Sequence, residues 1–187
     1  ETYKFKANGN DPIVIHLVHA TKPDTNDNNL NKTVTRTINV INPDGNTNTI
    51  TQVAHLRRSG TIDEVTQKAT YTPWITDNWA EYDTPQISGY TPSPAKVLAT
   101  KVDGNTQNQT VTITYSANDQ STTAKFVDDD NNGAQVGDTV TLNGKTDQTI
   151  NTGLKVPDNY ELAKDQTLPE TYKFKANGND PIVIHLV

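Results

Sequence analysis

The sequence contains no cysteine and no methionine. No disulfide, thiolate metal site or cysteine nucleophile can form, so hydrogen-bonded backbone and aliphatic packing must hold the fold. Large apolar side chains are scarce as well. There are two Trp and three Phe, the hydrophobic fraction is 32% and the mean hydropathy is −0.71. No apolar run approaches the ~20 residues needed to cross a bilayer as a helix, and membrane insertion is not expected. Basic residues are outnumbered, 16 Lys+Arg against 22 Asp+Glu, for a net charge of −6. The only adjacent arginines are Arg57 and Arg58. Nucleic-acid binding is excluded on that ground, because phosphate neutralisation needs clustered cations. No signal peptide or anchor is evident, as expected of a fragment or mature segment.

What is abundant is Thr, with 30 residues, and Asn, with 21. Thr is β-branched and favours strands, whereas Asn with Gly, Asp and Pro punctuates turns. That balance points to a β-rich chain with polar outer faces. The chain also repeats itself. Residues 1–18, ETYKFKANGNDPIVIHLV, recur letter for letter at 170–187, an offset of 169 residues. An identity of this length marks a tandem array with units of that period. Residues 1–18 then read as the tail hairpin of a preceding unit, and 19–187 as one whole unit. Within the segment, Tyr172 and Phe174 alternate with Lys173 and Lys175. Asn177-Gly178-Asn179 supplies a turn, and Ile182–Val187 is an apolar run. The pattern predicts a β-hairpin with a buried second strand. The N-terminal copy is expected to pair with a neighbouring sheet, in the same molecule or the next.

Along the unit, residues 19–31 read as a linker. Lys32–Ile41 alternates, Val34, Ile38 and Val40 on one face and Thr33, Thr35 and Thr37 on the other, which predicts a half-buried strand. Asn42-Pro43-Asp44-Gly45 is a turn, and Ile50–Arg58 is the returning strand. Residues 65–71 lean towards strand. Residues 72–96 hold Trp74, Trp79, Tyr82 and Tyr90 among four prolines and are expected to include a helical turn near Asp77–Tyr82. Val97–Val102 and Gln109–Tyr115 close a first sheet. After a joint at 117–121, strands at 122–127, 138–143, 160–162, 172–175 and 182–187 make a second, with helical turns expected over Thr146–Gly153. The outline is a β-rich α+β chain: two small β-grasp (ubiquitin-like) domains in tandem, 32–116 and 122–187, forming an elongated rod.

Candidate chemistry is sparse. No Gly-x-Ser-x-Gly elbow and no His in metal-ligand spacing occur, so the chain does not read as an enzyme and no cofactor is required. Asp128, Asp130 and Asn132 in the run Asp128–Gly133 fit the opening of a Ca2+ loop, but position twelve is Thr139 where such a loop places a bidentate Glu. An acidic hairpin turn competes with a weak Ca2+ site there. Tyr71, Trp74, Trp79, Tyr82 and Tyr90 are the ligand candidates. Sugars stack on such rings while Asn, Asp and Thr supply hydrogen bonds; the competing reading makes the rings the core of a domain short of other large residues.

The second half resembles the mucin-binding (MucBP-type) domain. The resemblance is carried by Phe126-Val127-Asp128, the acidic turn Asp130–Gly133, the strand Thr139–Gly144, Tyr160-Glu161-Leu162 and the closing segment, with Asn159 where the family usually has Gly. The first half, through KTVTRTINVINPDG, QVAHLRRSGTIDEVT, Trp74 and Gly89–Pro92, is similar to the companion domain of lactobacillal mucus-binding repeats. The resemblance implies an adhesin on a Gram-positive surface, anchored to the cell wall elsewhere in the chain. Its partners would be mucin glycoproteins and neighbouring repeats. Two other functions compete: an immunoglobulin-binding module that offers a β-grasp edge strand, and a passive stalk spacer.

Overall fold

The computed structural model describes residues 2–187; Glu1, the first residue of the duplicated segment, lies outside them. The chain forms two compact units. One comprises residues 2–34, Ala54–Asp77 and Lys101–Thr106, the other Thr35–Val53, Asn78–Thr100 and Gln107–Val187.

In the first unit, Thr21–Pro23, Gly60–Asp63 and Ala69–Tyr71 make a three-stranded antiparallel sheet, with Gly60–Asp63 in the middle. Thr and Ile supply the β-branching that a pleated surface favours. The turn between the last two strands is tied by Asp63, whose Oδ1 accepts from the backbone N–H of Val65 at 2.9 Å and of Thr66 at 2.8 Å. The segment 19–31, expected as a linker, carries the first of these strands and the four-residue helix Asp27–Leu30. Asn26 caps that helix through Asn28 N, and Asp24 is buried beside it. The Asn/Asp cluster that looked like linker composition is therefore capping chemistry.

The second unit contains most of a four-stranded sheet in the order Thr47–Arg57, Asn31–Ile41, Gln109–Ala117, Tyr90–Ser93. Gln109–Ala117 runs parallel to Asn31–Ile41 and antiparallel to Tyr90–Ser93. The expected alternation along Asn31–Ile41 is present, with Val34, Ile38 and Val40 buried. Ile38, Val40, Val97 and Ile113 form one core cluster, flanked by Ile50, Tyr82, Val111 and Tyr115. The same unit holds a three-stranded sheet in the order Ala134–Lys145, Asp119–Asp128, Ile182–Leu186. Its first pair is antiparallel and its second parallel. Phe126, Ile184 and Leu186 form its core under Leu154, Val156, Tyr160, Leu162 and Leu168. In both sheets an opening antiparallel pair is flanked by a later strand that runs parallel to its first member.

Three further expectations are corrected. The duplicated segment is not a hairpin. Thr171–Lys173 pairs antiparallel with Thr149–Asn151, whereas Ile182–Leu186 pairs parallel with Asp119–Asp128. Between them the Asn179 side chain bonds the backbone N–H and C=O of Lys175, at 2.8 and 3.0 Å, so those groups are committed to a side chain rather than to a hairpin ladder. The helical turn near Asp77–Tyr82 is replaced by the strands Asp77–Trp79 and Tyr82–Asp83. The Ala80 carbonyl accepts from Arg36 Nη2 at 2.6 Å and from Gln52 Nε2 at 3.0 Å, so it is committed to side chains rather than to a helical ladder. The helical turns over Thr146–Gly153 give way to the strand Thr149–Asn151, since Asp147 takes a left-handed φ of 65° that an α-helix cannot accommodate. Among the described residues the α component is thus the single turn Asp27–Leu30. The joint at 117–121 is nearly continuous strand, with Gln109–Ala117 leading into Asp119–Asp128.

Candidate functional site

Burial and contacts divide the five candidate rings. Trp79 is 2% exposed and lies in the core, its ring 5.3 Å from the guanidinium of Arg36, so it offers no face to a ligand. Tyr82 packs on the Ile38–Val40–Val97–Ile113 cluster. Tyr71 and Trp74 belong to the other unit, where Arg58 lies over both, 3.9 Å from the Tyr71 centroid and 4.4 Å from the Trp74 centroid. Their faces are thus partly occupied by a cation. The Tyr71 hydroxyl donates to Asp24 Oδ2 at 2.9 Å, which raises the phenol pKa above its ordinary value. Asp24 is held below the usual carboxylate range, first by the Asn26 backbone N–H and then by the Asn29 side chain. Gly104 lets Trp74 seat, since a Cβ there would overlap the indole.

Two of the candidates line open space: Tyr71 borders a small cleft of about 180 Å³ with Ser59, Gly60, Thr61, Thr70 and Thr72, and Tyr90 borders a larger groove. The larger groove, of about 610 Å³, is bounded by Asn42, Pro43, Asp44, Ile87, Ser88, Tyr90 and Asp147. The Tyr90 hydroxyl donates to Asp147 Oδ2 at 2.8 Å, and this bond raises its pKa. Asp44 is fixed by Asn46, whose backbone N–H and side-chain amide donate to its two oxygens at 2.9 and 2.7 Å. Those bonds lower its pKa, the backbone one most. Both carboxylates keep further acceptor capacity for hydroxyl donors. The groove joins the Asn-Pro-Asp-Gly turn, legible in the sequence as a turn, to Asp147, whose role was not. The left-handed φ at Asp147 is the one local signal, and it appears only in the structure.

Residues missed by the sequence reading include Arg36. It lies on the apolar face of its strand and is 1% exposed. Nε donates to Gln52 Oε1 at 2.8 Å, Nη1 to Leu98 O at 2.9 Å and Thr100 Oγ1 at 3.3 Å, and Nη2 to Ala80 O. All these acceptors are neutral, and burial lowers the guanidinium pKa. Arg36 is a structural cross-link rather than a ligand group. In the acidic turn, Asp128 Oδ1 accepts from the backbone N–H of Asp130 at 3.0 Å and of Asn131 at 3.2 Å. Asn132 sits at a φ of 54°, and Asp129 bonds His185 at 2.7 Å. One Asp128 oxygen therefore already caps the turn. Among the described residues no group of three or more His, Asp or Glu side chains is arranged to hold a metal ion.

Comparison with known proteins decides the family. Residues 25–119, just over half of the chain, match the Muc B2-like domain, and residues 120–187 match a mucin binding domain. The chain belongs to the mucus-binding repeat family. Similar solved structures include the mucin-binding domain of a Streptococcus pneumoniae protein, with 26% identity over 52% of this chain and 96% of that one at a TM-score of 0.44. The MucBP domain of an adhesion protein from Pediococcus pentosaceus is 33% identical over 46% of this chain and 99% of that one, at 0.39. The type 2 repeat of the mucus binding protein of Lactobacillus reuteri is 28% identical over 47% of this chain and 50% of that one, at 0.36. The repeat thus aligns with half the length of the Lactobacillus reuteri structure. No curated protein matches the chain. Among the described residues, no helix of the repeat is long and apolar enough to cross a membrane.

Proposed function

We propose that this mucus-binding repeat is a non-catalytic adhesin module that binds mucin glycans by weak, multivalent contacts at a Gram-positive cell surface. The observation that carries this reading is the Tyr90 groove. It combines an aromatic face, two oriented carboxylates, the Asn42 amide and the Ser88 hydroxyl in about 610 Å³, the mix that recognises a sugar. The family match points to the same ligand class. Tandem display adds strength without new contacts, because linked sites act at an effective concentration set by the tether. The 169-residue period supports such an array. That the two sheets are of the β-grasp type belongs to the same proposal, supported by their shared arrangement of an opening pair beside a parallel closing strand.

Surface plasmon resonance on immobilised mucin tests it. The single repeat should bind weakly, a tandem trimer at least about tenfold more tightly, and enzymatic removal of the glycans should abolish both. A second reading, protein binding through a sheet edge, is favoured by Ala134–Lys145, a twelve-residue strand whose partner in its sheet is Asp119–Asp128. Binding that survives deglycosylation and falls when Val140 on that edge is changed to Lys would replace the glycan reading by this one.

A further inference from the structure

The Tyr90 groove, which lies wholly within the second unit, carries charge of one sign. Among the described residues that bound it, Asp44 and Asp147 are carboxylates and none is Lys, Arg or His. Both carboxylates are held in place. Asp44 takes two bonds from Asn46, at 2.9 and 2.7 Å, which keep its carboxyl below the usual range, the backbone bond most. Asp147 takes the bond from the Tyr90 hydroxyl at 2.8 Å. Lys173 Nζ lies 4.0 Å from Asp147 Oδ1, on a side chain that is 66% exposed. A solvated pair of that length offsets little of the carboxylate's charge, and Lys173 is not part of the groove wall.

The other polar groups of the wall are neutral, and acceptors prevail among them. The Tyr90 hydroxyl has committed its proton to Asp147, so its oxygen is left to accept. Ser88 Oγ accepts from Asn177 Nδ2 at 2.7 Å, which leaves its own proton to donate. The Asn42 amide supplies the remaining donors. Pro43, Ile87 and the Tyr90 ring add apolar surface.

Resting on the sugar-binding reading above, we propose that Asp44 and Asp147 make this groove selective for neutral sugars, rich in hydroxyl donors and with one apolar C–H face, and against sugars that carry a carboxylate or a sulfate ester. An acidic sugar brings acceptors to a wall that calls for donors, and it meets like charge. At 4 Å in bulk water, repulsion by one carboxylate alone weakens binding about fivefold. That repulsion fades with salt, because the Debye length falls from about 30 Å at 0.01 M to about 3 Å at 1 M.

Surface plasmon resonance with the full chain tests this on one mucin in three forms: untreated, sialidase-treated and sulfatase-treated. Removing sialic acid, sulfate or both should tighten binding about fivefold at about 0.01 M salt, and the ratio should approach one near about 1 M. Asp44→Asn with Asp147→Asn keeps shape and acceptor oxygens and should bring the ratio close to one at low salt. Asp138→Asn with Asp158→Asn, at two exposed positions outside the groove, makes the same change in net charge and should leave the ratio as it was. If neither enzyme tightens binding that is still weakened by Tyr90→Ala, the selectivity is overturned and the sugar-binding reading stands. A ratio that persists in the Asp44 and Asp147 variant, or that the Asp138 and Asp158 variant abolishes equally, also overturns it. Should the groove variant not fold, the unaltered chain decides by its salt dependence: a ratio indifferent to salt overturns the proposal. Binding that ignores both Tyr90→Ala and complete deglycosylation removes the sugar-binding reading itself, and the selectivity with it.

Discussion

Phe174 and Phe5 offer a controlled experiment inside one chain: the same side chain, in the same eighteen-residue sequence, with the same edge-to-face tyrosine. Phe174 is fully buried, under Gly144, where a Cβ would overlap its ring. Phe5 is 79% exposed. Cutting Phe174 to Ala removes the transfer free energy of the ring, leaves a cavity against rigid strand backbone, and costs about 3–5 kcal/mol. Cutting Phe5 should cost no more than about 0.5 kcal/mol. For a chain of this length, each kcal/mol moves Tm by about 2–4 °C, so Phe174→Ala should lower Tm by about 6–20 °C and Phe5→Ala by about 2 °C at most. Calorimetry and urea titration read both values. Equal shifts for the two variants would refute the reasoning that long-range pairing, not local sequence, sets the burial of this segment.

Four further outcomes follow from the geometry. Arg36→Ala leaves the Leu98 and Ala80 carbonyls and the Gln52 amide without their charged donor and should destabilise the repeat by at least about 3 kcal/mol in urea titration; Arg36→Lys should not restore it, since one ammonium cannot span the fork. The Asp63 carboxyl is held at about 2, first by the Thr66 N–H and next by the His19 side chain. Its contribution to stability is therefore full above the ordinary carboxylate value and disappears as pH falls towards 2, and a side-chain NMR titration with a midpoint near 4 would contradict this. Tyr90→Ala should weaken mucin binding about tenfold with Tm little changed, whereas Trp79→Ala should lower Tm sharply. Millimolar Ca2+ should leave Tm unmoved, because an oxygen of Asp128 already caps its own turn; a rise of several degrees would establish the cation site.

Periodicity in two made the strands legible. The alternation of Val34, Ile38 and Val40 named a buried face correctly, and the Asn-Pro-Asp-Gly run named its turn. What pairs with what was not legible, because short-range pattern does not encode long-range partners. Tyr172 and Ile182 look like two arms of a hairpin, yet each pairs with a strand far away in sequence. Arg36 was invisible for a related reason: a buried guanidinium is tolerable only when distant carbonyls converge on it, and those come from Ala80 and Leu98. The five aromatic rings could be counted but not sorted. Sorting them required the cation over Tyr71 and Trp74, the core around Trp79 and Tyr82, and the groove at Tyr90.

The most direct measurement compares the single repeat with a tandem trimer on immobilised mucin, before and after its glycans are removed, with Tyr90→Ala carried in every unit as a third sample. Glycan-dependent binding that strengthens with repeat number and drops with the Tyr90 variant is the expected result. Binding that is indifferent to deglycosylation, or equal for one repeat and three, would contradict the assignment of this chain as a multivalent sugar-binding module.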